Sequence, residues 1–93
     1  MKEWHVEDAG VGCRAFSEVL VLFCEESGEK YSTLLPLTWD DGYSLEEKAC
    51  IHLTDLMEQA KVSKDDHIVV CSGNIFHTYH RWLNESGYSW EKG

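Results

Sequence analysis

The sequence is poor in positive charge. It has 8 lysines and arginines against 17 aspartates and glutamates, which gives a net charge of −9, and its basic residues form no run or stripe. Proteins hold nucleic acid largely through lysine and arginine contacts to phosphates, and anionic membrane surfaces attract the same residues. The composition therefore argues against a nucleic-acid partner and against binding at a membrane surface.

Long apolar runs and export signals are also missing. No stretch approaches the roughly 20 apolar residues that a membrane span requires, and residues 1–5 lack the apolar core of a signal peptide. We therefore expect a cytoplasmic protein without a membrane segment. None of the cysteines forms a CxxC pair, and Cys24, Cys50 and Cys71 lie in apolar stretches. This placement predicts buried free thiols rather than disulfides.

The sequence does contain the material for a small folded core. Of its 93 residues, 43% are hydrophobic, and they include four tryptophans, four tyrosines and three phenylalanines. Large rings bury much surface per residue, which helps a short chain to reach stability. The length and composition predict a single globular domain over residues 1–93.

The distribution of apolar residues predicts a sheet that begins with a hairpin. Extended segments are expected at residues 4–8, 18–24, 30–38 and 67–71, with or without a last strand at 88–91. The second segment is a continuous apolar run, which is typical of a strand covered on both faces. The fourth is suited to a buried parallel strand. Pro36 cannot donate a ladder hydrogen bond, so the third strand is expected at a sheet edge.

Two helices are predicted, at residues 44–61 and 75–85. Ser44 and Glu47 match a capping box, which marks the start of the first helix. Helical spacing places Glu46 within the apolar face of that helix and turns Glu47 away from it. Gly87 is suited to end the second helix in the left-handed conformation. The predicted fold is therefore α/β (α+β), a mixed sheet in the order β-β-β-α-β-α with an optional last strand.

This order of elements resembles the ribonuclease H-like fold, in which the third strand is also an edge strand. Nucleases of that fold hold divalent metal with acids on the first strand, in the first helix and at the end of the fourth strand. The resemblance implies that Asp8 and Glu46 are the first two of these catalytic acids and that Mg²⁺ is the cofactor. Residues 70–74 supply no third carboxylate, which leaves an active nuclease or an inactive relic as alternatives.

The turn after the fourth predicted strand is a second candidate site. Ser72, Gly73 and Asn74 follow the carboxyl end of that strand and lead into a helix. Ligands of α/β folds bind at such ends, and helix amides attract anions, so this turn is a candidate for binding a small anion or a carboxylate. The alternative is a plain turn in which Asn74 caps the helix.

Two further groups of residues are candidates for binding. His77 and His80 lie three apart on the second helix, and with Cys71 they could hold a metal ion. The alternatives are surface histidines, a packed cysteine or a nucleophilic Cys–His pair. The second group is rich in the residue types that dominate binding hot spots, although these could equally complete the core: Arg81, Trp82, Tyr88 and Trp90.

The function predicted first is a non-catalytic acidic module that binds a protein partner through the C-terminal aromatic region or an open sheet edge. The first alternative is a divalent-metal nuclease or its relic. The second is a small-ligand or metal site between Cys71 and His80. The scarcity of positive charge and the missing third carboxylate favour a non-enzymatic role, and the sequence leaves the partner, the substrate and the oligomeric state open.

Overall fold

The computed structural model of the chain describes residues 2–8, 17–36 and 44–93. The sequence also predicts a break after the first strand at residues 9–12 and a turn at 40–42, and both segments lie outside the described ranges. The described elements follow in the predicted order, with the last strand present: β1 (Glu3–Asp8), β2 (Ser17–Cys24), β3 (Glu29–Pro36), α1 (Leu45–Ala60), β4 (His67–Val70), α2 (His77–Ser86) and β5 (Ser89–Lys92). A one-turn 3₁₀ helix (Asn74–Phe76) directly precedes α2.

The five strands form one mixed sheet in the order β3-β2-β1-β4-β5. β2 pairs antiparallel with both β1 and β3, whereas β4 pairs parallel with both β1 and β5. The β2–β3 hairpin turns at Gly28, whose φ of 76° lies in the left-handed region that glycine adopts without strain. The edge position predicted for the third strand from Pro36 is confirmed.

The helix ends follow the signals in the sequence. The Ser44 hydroxyl accepts from the Glu47 amide at 3.1 Å, and Glu47 Oε1 accepts from the Ser44 amide at 3.0 Å, so the predicted capping box is present. α1 ends at Lys61 in the left-handed conformation. α2 ends at Gly87 with a φ of 81°, as predicted. No helix in the described ranges is long and apolar enough to cross a membrane.

Both helices pack against the same face of the sheet. Strand side chains alternate between faces, and the pairing of Val6 with Leu22 and Val70 places these three residues on one side. All three are fully buried in a cluster that also contains Leu53 of α1 and Leu83 of α2. The core therefore lies between the two helices and one face of the sheet.

Neither helix covers the opposite face, which we call the open face. Its described residues are the outward positions of the five strands: Glu3, His5, Glu7, Val19, Val21, Phe23, Lys30, Ser32, Leu34, His67, Val69, Ser89 and Glu91. Val21 is buried, Phe23 and Val69 are half-buried, and Leu34 is 62% exposed. β2 is therefore apolar on both faces, and Val21 is buried although α1 and α2 lie together on the other side of the sheet.

The three described cysteines are free thiols, as predicted. Cys24 and Cys50 are buried, and Cys71 is half-buried. Burial raises the pKa of the Cys50 thiol because a thiolate would lose its hydration there. Cys50 is therefore a protonated core side chain at neutral pH. The fourth cysteine, Cys13, lies outside the described residues.

Candidate functional site

The first candidate site lies at the carboxyl end of the parallel strands. β1 and β4 run in the same direction, so Asp8 at the end of β1 and the turn that follows β4 lie at the same end of the sheet. The first turn of α1 reaches this end as well, since the Thr78 hydroxyl of α2 donates to Glu46 Oε1 at 3.5 Å. The fold therefore gathers Asp8, Glu46 and residues 72–74 at one end.

The two acids at this end, Asp8 and Glu46, are both half-buried. Glu46 is half-buried against α2, as the helical spacing predicts, whereas Glu47 is exposed and occupied by the capping box. Asp8 is half-buried and lines a groove. No described residue at the end of β4 adds a carboxylate, because Cys71, Ser72, Gly73 and Asn74 occupy that position.

These residues do not fit the metal site that the resemblance implies. A Mg²⁺ ion that assists in-line phosphoryl transfer is held by several oxygen ligands around one point. Within residues 2–8, 17–36 and 44–93, no three Asp, Glu, His or Cys side chains are grouped so that they could hold a metal ion. Asp8 and Glu46 therefore form an incomplete set among the described residues.

The turn between β4 and α2 is short and leads directly into the 3₁₀ helix. Gly73 begins the 3₁₀ helix with extended backbone, and no side chain caps this end, so the predicted role of Asn74 as the helix cap is wrong. The Phe76 amide donates to the Gly73 carbonyl at 3.1 Å, and the Phe76 ring is fully buried. Ser72, Gly73 and Asn74 are exposed. Their binding of an anion stays a prediction without further support from this geometry.

The histidines of α2 lie in different environments. His77 is exposed, but His80 is only 7% exposed, and its ring stacks on Trp90 with 4.7 Å between centroids. The surface position predicted for His80 is therefore wrong. The ring centroids of His77 and His80 are 6.3 Å apart, and with Cys71 the two histidines do not form a metal-binding group among the described residues.

Burial also controls the protonation of His80. Loss of hydration lowers the pKa of the His80 ring, and the charges of Lys92 and His77 act in the same direction. A hydrogen bond with the Cys71 backbone raises the pKa but does not outweigh burial. The Nε2 atom is buried and has no hydrogen-bond partner in the described structure. His80 is therefore a neutral, packed side chain at neutral pH.

The C-terminal aromatic residues form a stacked cluster at the rim of the core. Trp82 stacks on Tyr79 at 6.1 Å and on Tyr88 at 5.5 Å, and Trp90 Nε1 donates to Asn84 Oδ1 at 2.8 Å. Trp82, Tyr88 and Trp90 are half-buried, while Arg81 is exposed. Trp82 and Tyr88 also line a groove of about 320 Å³ beside α1. Partner binding by this cluster stays a prediction.

Asp66 is a buried charged residue that the sequence pattern does not single out, because it lies in the loop between α1 and β4. It is only 7% exposed, and it accepts hydrogen bonds from the Lys2 amide at 2.9 Å, Trp4 Nε1 at 3.0 Å and the Ser63 amide at 3.1 Å. Burial alone would raise the pKa of Asp66, but these hydrogen bonds outweigh it and hold the pKa below its usual value. Asp66 therefore joins the start of β1 to the start of β4.

The central part of the open face combines aromatic side chains with grooves. The rings of His5 and Phe23 stack with 5.1 Å between centroids, and the His5 ring lies 3.2 Å from a Glu3 carboxylate oxygen. A groove of about 480 Å³ runs beside Val21 and Phe23 towards β3. A second groove of about 260 Å³ lies on the same face, on the other side of the two stacked rings, against Val69. The only sequence signal for this surface is the continuous apolar run in β2.

No protein-family model matches the sequence, and no curated protein matches it. Solved structures do match the fold. The catalytic core domain of BIV integrase is similar with a TM-score of 0.71 and 14% identity, over 99% of this chain and 54% of that one. The HTLV-2 integrase catalytic core domain in complex with magnesium also gives 0.71, with 8% identity, over 98% of this chain and 59% of that one.

These comparisons establish the fold of the chain. Retroviral integrase catalytic cores have a ribonuclease H-like fold, so the resemblance noted from the order of elements is confirmed. The chain spans little more than half the length of either integrase core. At such low identities the likeness carries the architecture and not the activity.

Proposed function

We propose that the chain is a non-catalytic protein-interaction module with a ribonuclease H-like fold and that its partner binds the open face. The observation that carries this proposal is the apolar composition of β2 on both of its faces. Leu20 and Leu22 point into the core, whereas Val21 and Phe23 point away from the helices. A sheet face that is merely solvated alternates with polar residues, and β2 does not.

The parallel part of the sheet supports the same proposal. Parallel strands occur almost only where both faces are covered, and β1, β4 and β5 are paired in parallel. Val69 of β4 lies on the open face and is half-buried beside His5. Contiguous apolar surface of this kind on a small protein commonly marks a protein contact. A partner on the open face would complete the covering that α1 and α2 provide on the other side.

The aromatic cluster is the competing surface for a partner. Its rings stack on one another and on core residues, so much of their area is already used within the chain. Phe23 differs, because its one ring contact among the described residues is with His5, which itself belongs to the open face. The described contacts therefore favour the open face over Trp82, Tyr88, Trp90 and Arg81.

Photocross-linking tests which surface binds a protein. Benzoylphenylalanine introduced at Phe23 is expected to cross-link to a discrete protein in the native lysate, because the substitution keeps an aromatic ring on the open face. Excess wild-type chain should compete for this product, whereas excess Phe23→Ser variant should not. Ile51, which is 50% exposed on α1, gives the matched control position. Equal products from positions 23 and 51, or products from Trp82 alone, would contradict the proposal.

The second candidate function is that of an inactive nuclease relic. It is favoured by one observation, the placement of Asp8 and Glu46 at the same end of the sheet, and one of the similar integrase cores was solved in complex with magnesium. Because the set of acids is incomplete among the described residues, we expect no Mg²⁺-dependent cleavage of RNA or DNA and no saturable NMR shift of Asp8 on addition of Mg²⁺. Cleavage that Asp8→Asn abolishes and Asp65→Asn preserves would replace the relic by an active nuclease.

A further inference from the structure

We infer that the partner's binding element is a basic amphipathic helix, an inference that rests on the proposed function of the open face. The shape of the surface indicates a helix. Most apolar positions of the open face lie on the inner strands β2 and β4, and only Leu34 of the described ones lies on an edge strand, where an added strand would pair. Sheet faces in mixed folds are covered by helices, and a helix about 10 Å wide spans roughly two strands at 4.8 Å spacing.

The grooves give such a helix a place to dock. The stacked rings of Phe23 and His5 stand between the groove along Val21 and the groove against Val69. Apolar side chains that recur every three to four residues on a helix could enter the grooves on the two sides of these rings. The open face would then be covered by one apolar stripe over β2, β1 and β4.

The charge around the grooves indicates that the helix is basic. A third groove lies at the hairpin end of the open face, beside His5. The described residues that line the three grooves include one lysine, Lys30, and six acids: Glu3, Glu7, Asp8, Glu25, Glu26 and Glu29. Glu29 is already paired with Lys2 at 2.8 Å. Lysines and arginines that flank the apolar stripe would be attracted to this rim, whereas acidic flanks would be repelled.

The same charge argues against a second copy of the chain as the occupant. Each copy has a net charge of −9 and would bring the same acid-lined face to the contact. An isologous contact places a patch against itself, so the rims of two open faces would repel each other. A partner of opposite charge avoids this cost.

Designed peptides test the inference on the full chain. The probe is a labelled helical peptide of about 18 residues with a leucine stripe and lysine flanks, long enough to form a helix in water. A matched peptide carries the same stripe with glutamate flanks, and a third has the lysine peptide's composition in scrambled order. Fluorescence anisotropy at about 0.15 M NaCl should show saturable binding of the lysine peptide at least about 10-fold tighter than that of the others.

Variants of the chain then locate the binding. Phe23→Ser should weaken binding of the lysine peptide by about 10-fold, and Leu34→Ser, at a 62% exposed position, should weaken it less. Glu7→Lys should weaken binding as well, since it reverses one charge of the rim. Ile51→Ser and Glu58→Lys make the matching changes on α1 and should leave the affinity within about twofold. Circular dichroism tests whether each variant is folded. If Phe23→Ser does not fold, Leu34→Ser still tests the open face.

The outcomes separate this inference from the proposed function. Equal binding of the three peptides, or binding that Phe23→Ser and Leu34→Ser leave unchanged, overturns the basic helix. Self-association in sedimentation that Phe23→Ser abolishes, without binding of the lysine peptide, also overturns it but keeps the open face as a protein contact. No cross-link from position 23 and no peptide binding would overturn both.

Discussion

Replacing Asp66 with asparagine is expected to lower the free energy of unfolding by about 2–4 kcal/mol. The Asp66 carboxylate accepts three hydrogen bonds in a site where it is 7% exposed. An amide can accept through its oxygen, but its NH₂ group would face donors that it cannot satisfy. The indole N–H of Trp4 and the amides of Lys2 and Ser63 would then lose part of their pairing inside the protein. Urea denaturation of both proteins at neutral pH measures the difference.

Asp65 provides the matched control for this experiment. It is the adjacent residue in the same loop, it is exposed, and Asp65→Asn makes the same change of charge. We expect the control to shift the free energy of unfolding by no more than about 0.5 kcal/mol. If Asp65→Asn and Asp66→Asn had equal effects, the loss would come from net charge rather than from the buried hydrogen bonds.

The pH dependence of this difference has a definite sign. The pKa of Asp66 is lower in the folded chain than in the unfolded chain, where it is about 3.9. Its contribution is therefore fully present above the unfolded pKa, and it is lost as the pH falls through the folded pKa. The gap in stability between wild type and Asp66→Asn should narrow below about pH 4. A gap that widened in acid would contradict the depressed pKa.

The parts of the fold that sequence predicts are those fixed by local chemistry. Ser44 and Glu47 satisfy free amides at the start of α1, and this needs no residue from elsewhere in the chain. Gly87 ends α2 because a positive φ suits glycine. Pro36 lies on an edge strand because it cannot donate a ladder hydrogen bond. These signals, with the apolar patterns between them, are enough to give the order of the elements and the resemblance of the fold.

The parts that sequence did not predict depend on distant contacts. Asp66 is held by Lys2 and Trp4 from the other end of the chain, so its neighbours in sequence give almost no sign of its burial. The ring of His80 is covered by Trp90 of β5, and the spacing of residues within α2 gives no sign of this contact. In β2 the apolar pattern correctly identified side chains suited to burial on both faces. It could not show that both helices would pack on the same side.

That last difference connects the fold to the proposed function. A chain in which every apolar face is covered from within needs no partner, and its surface acids would only keep it soluble. Here Phe23 and Val69 lie on a face that no described element covers, next to carboxylates that line the same grooves. At the carboxyl end of the parallel strands, Asp8 and Glu46 belong to no group of three metal-binding side chains among the described residues. The open face therefore has both the apolar and the charged groups that a protein contact uses, whereas the two acids have no third metal ligand among the described residues.

Phe76→Ala is expected to lower the free energy of unfolding by about 3–5 kcal/mol. Phe76 is fully buried at the end of the 3₁₀ helix and packs in the core that α1 and α2 share. Its ring lies beside Gly73, so its removal leaves a cavity next to the connection from β4 to α2. A small domain is stable by only about 5–15 kcal/mol, which makes this loss a large fraction of the total. Urea denaturation followed by tryptophan fluorescence measures it.

Phe76→Leu is the matched control, because it keeps most of the apolar volume and is expected to cost less than about 1.5 kcal/mol. It also separates stability from function. Phe76 lies on the helix side of the sheet, so Phe76→Leu should bind the lysine-flanked peptide as tightly as wild type, whereas Phe23→Ser should not. If both variants lost peptide binding in proportion to their loss of stability, binding would report global folding. Loss confined to Phe23→Ser would show that the two faces of the sheet have separate roles, one in stability and one in recognition.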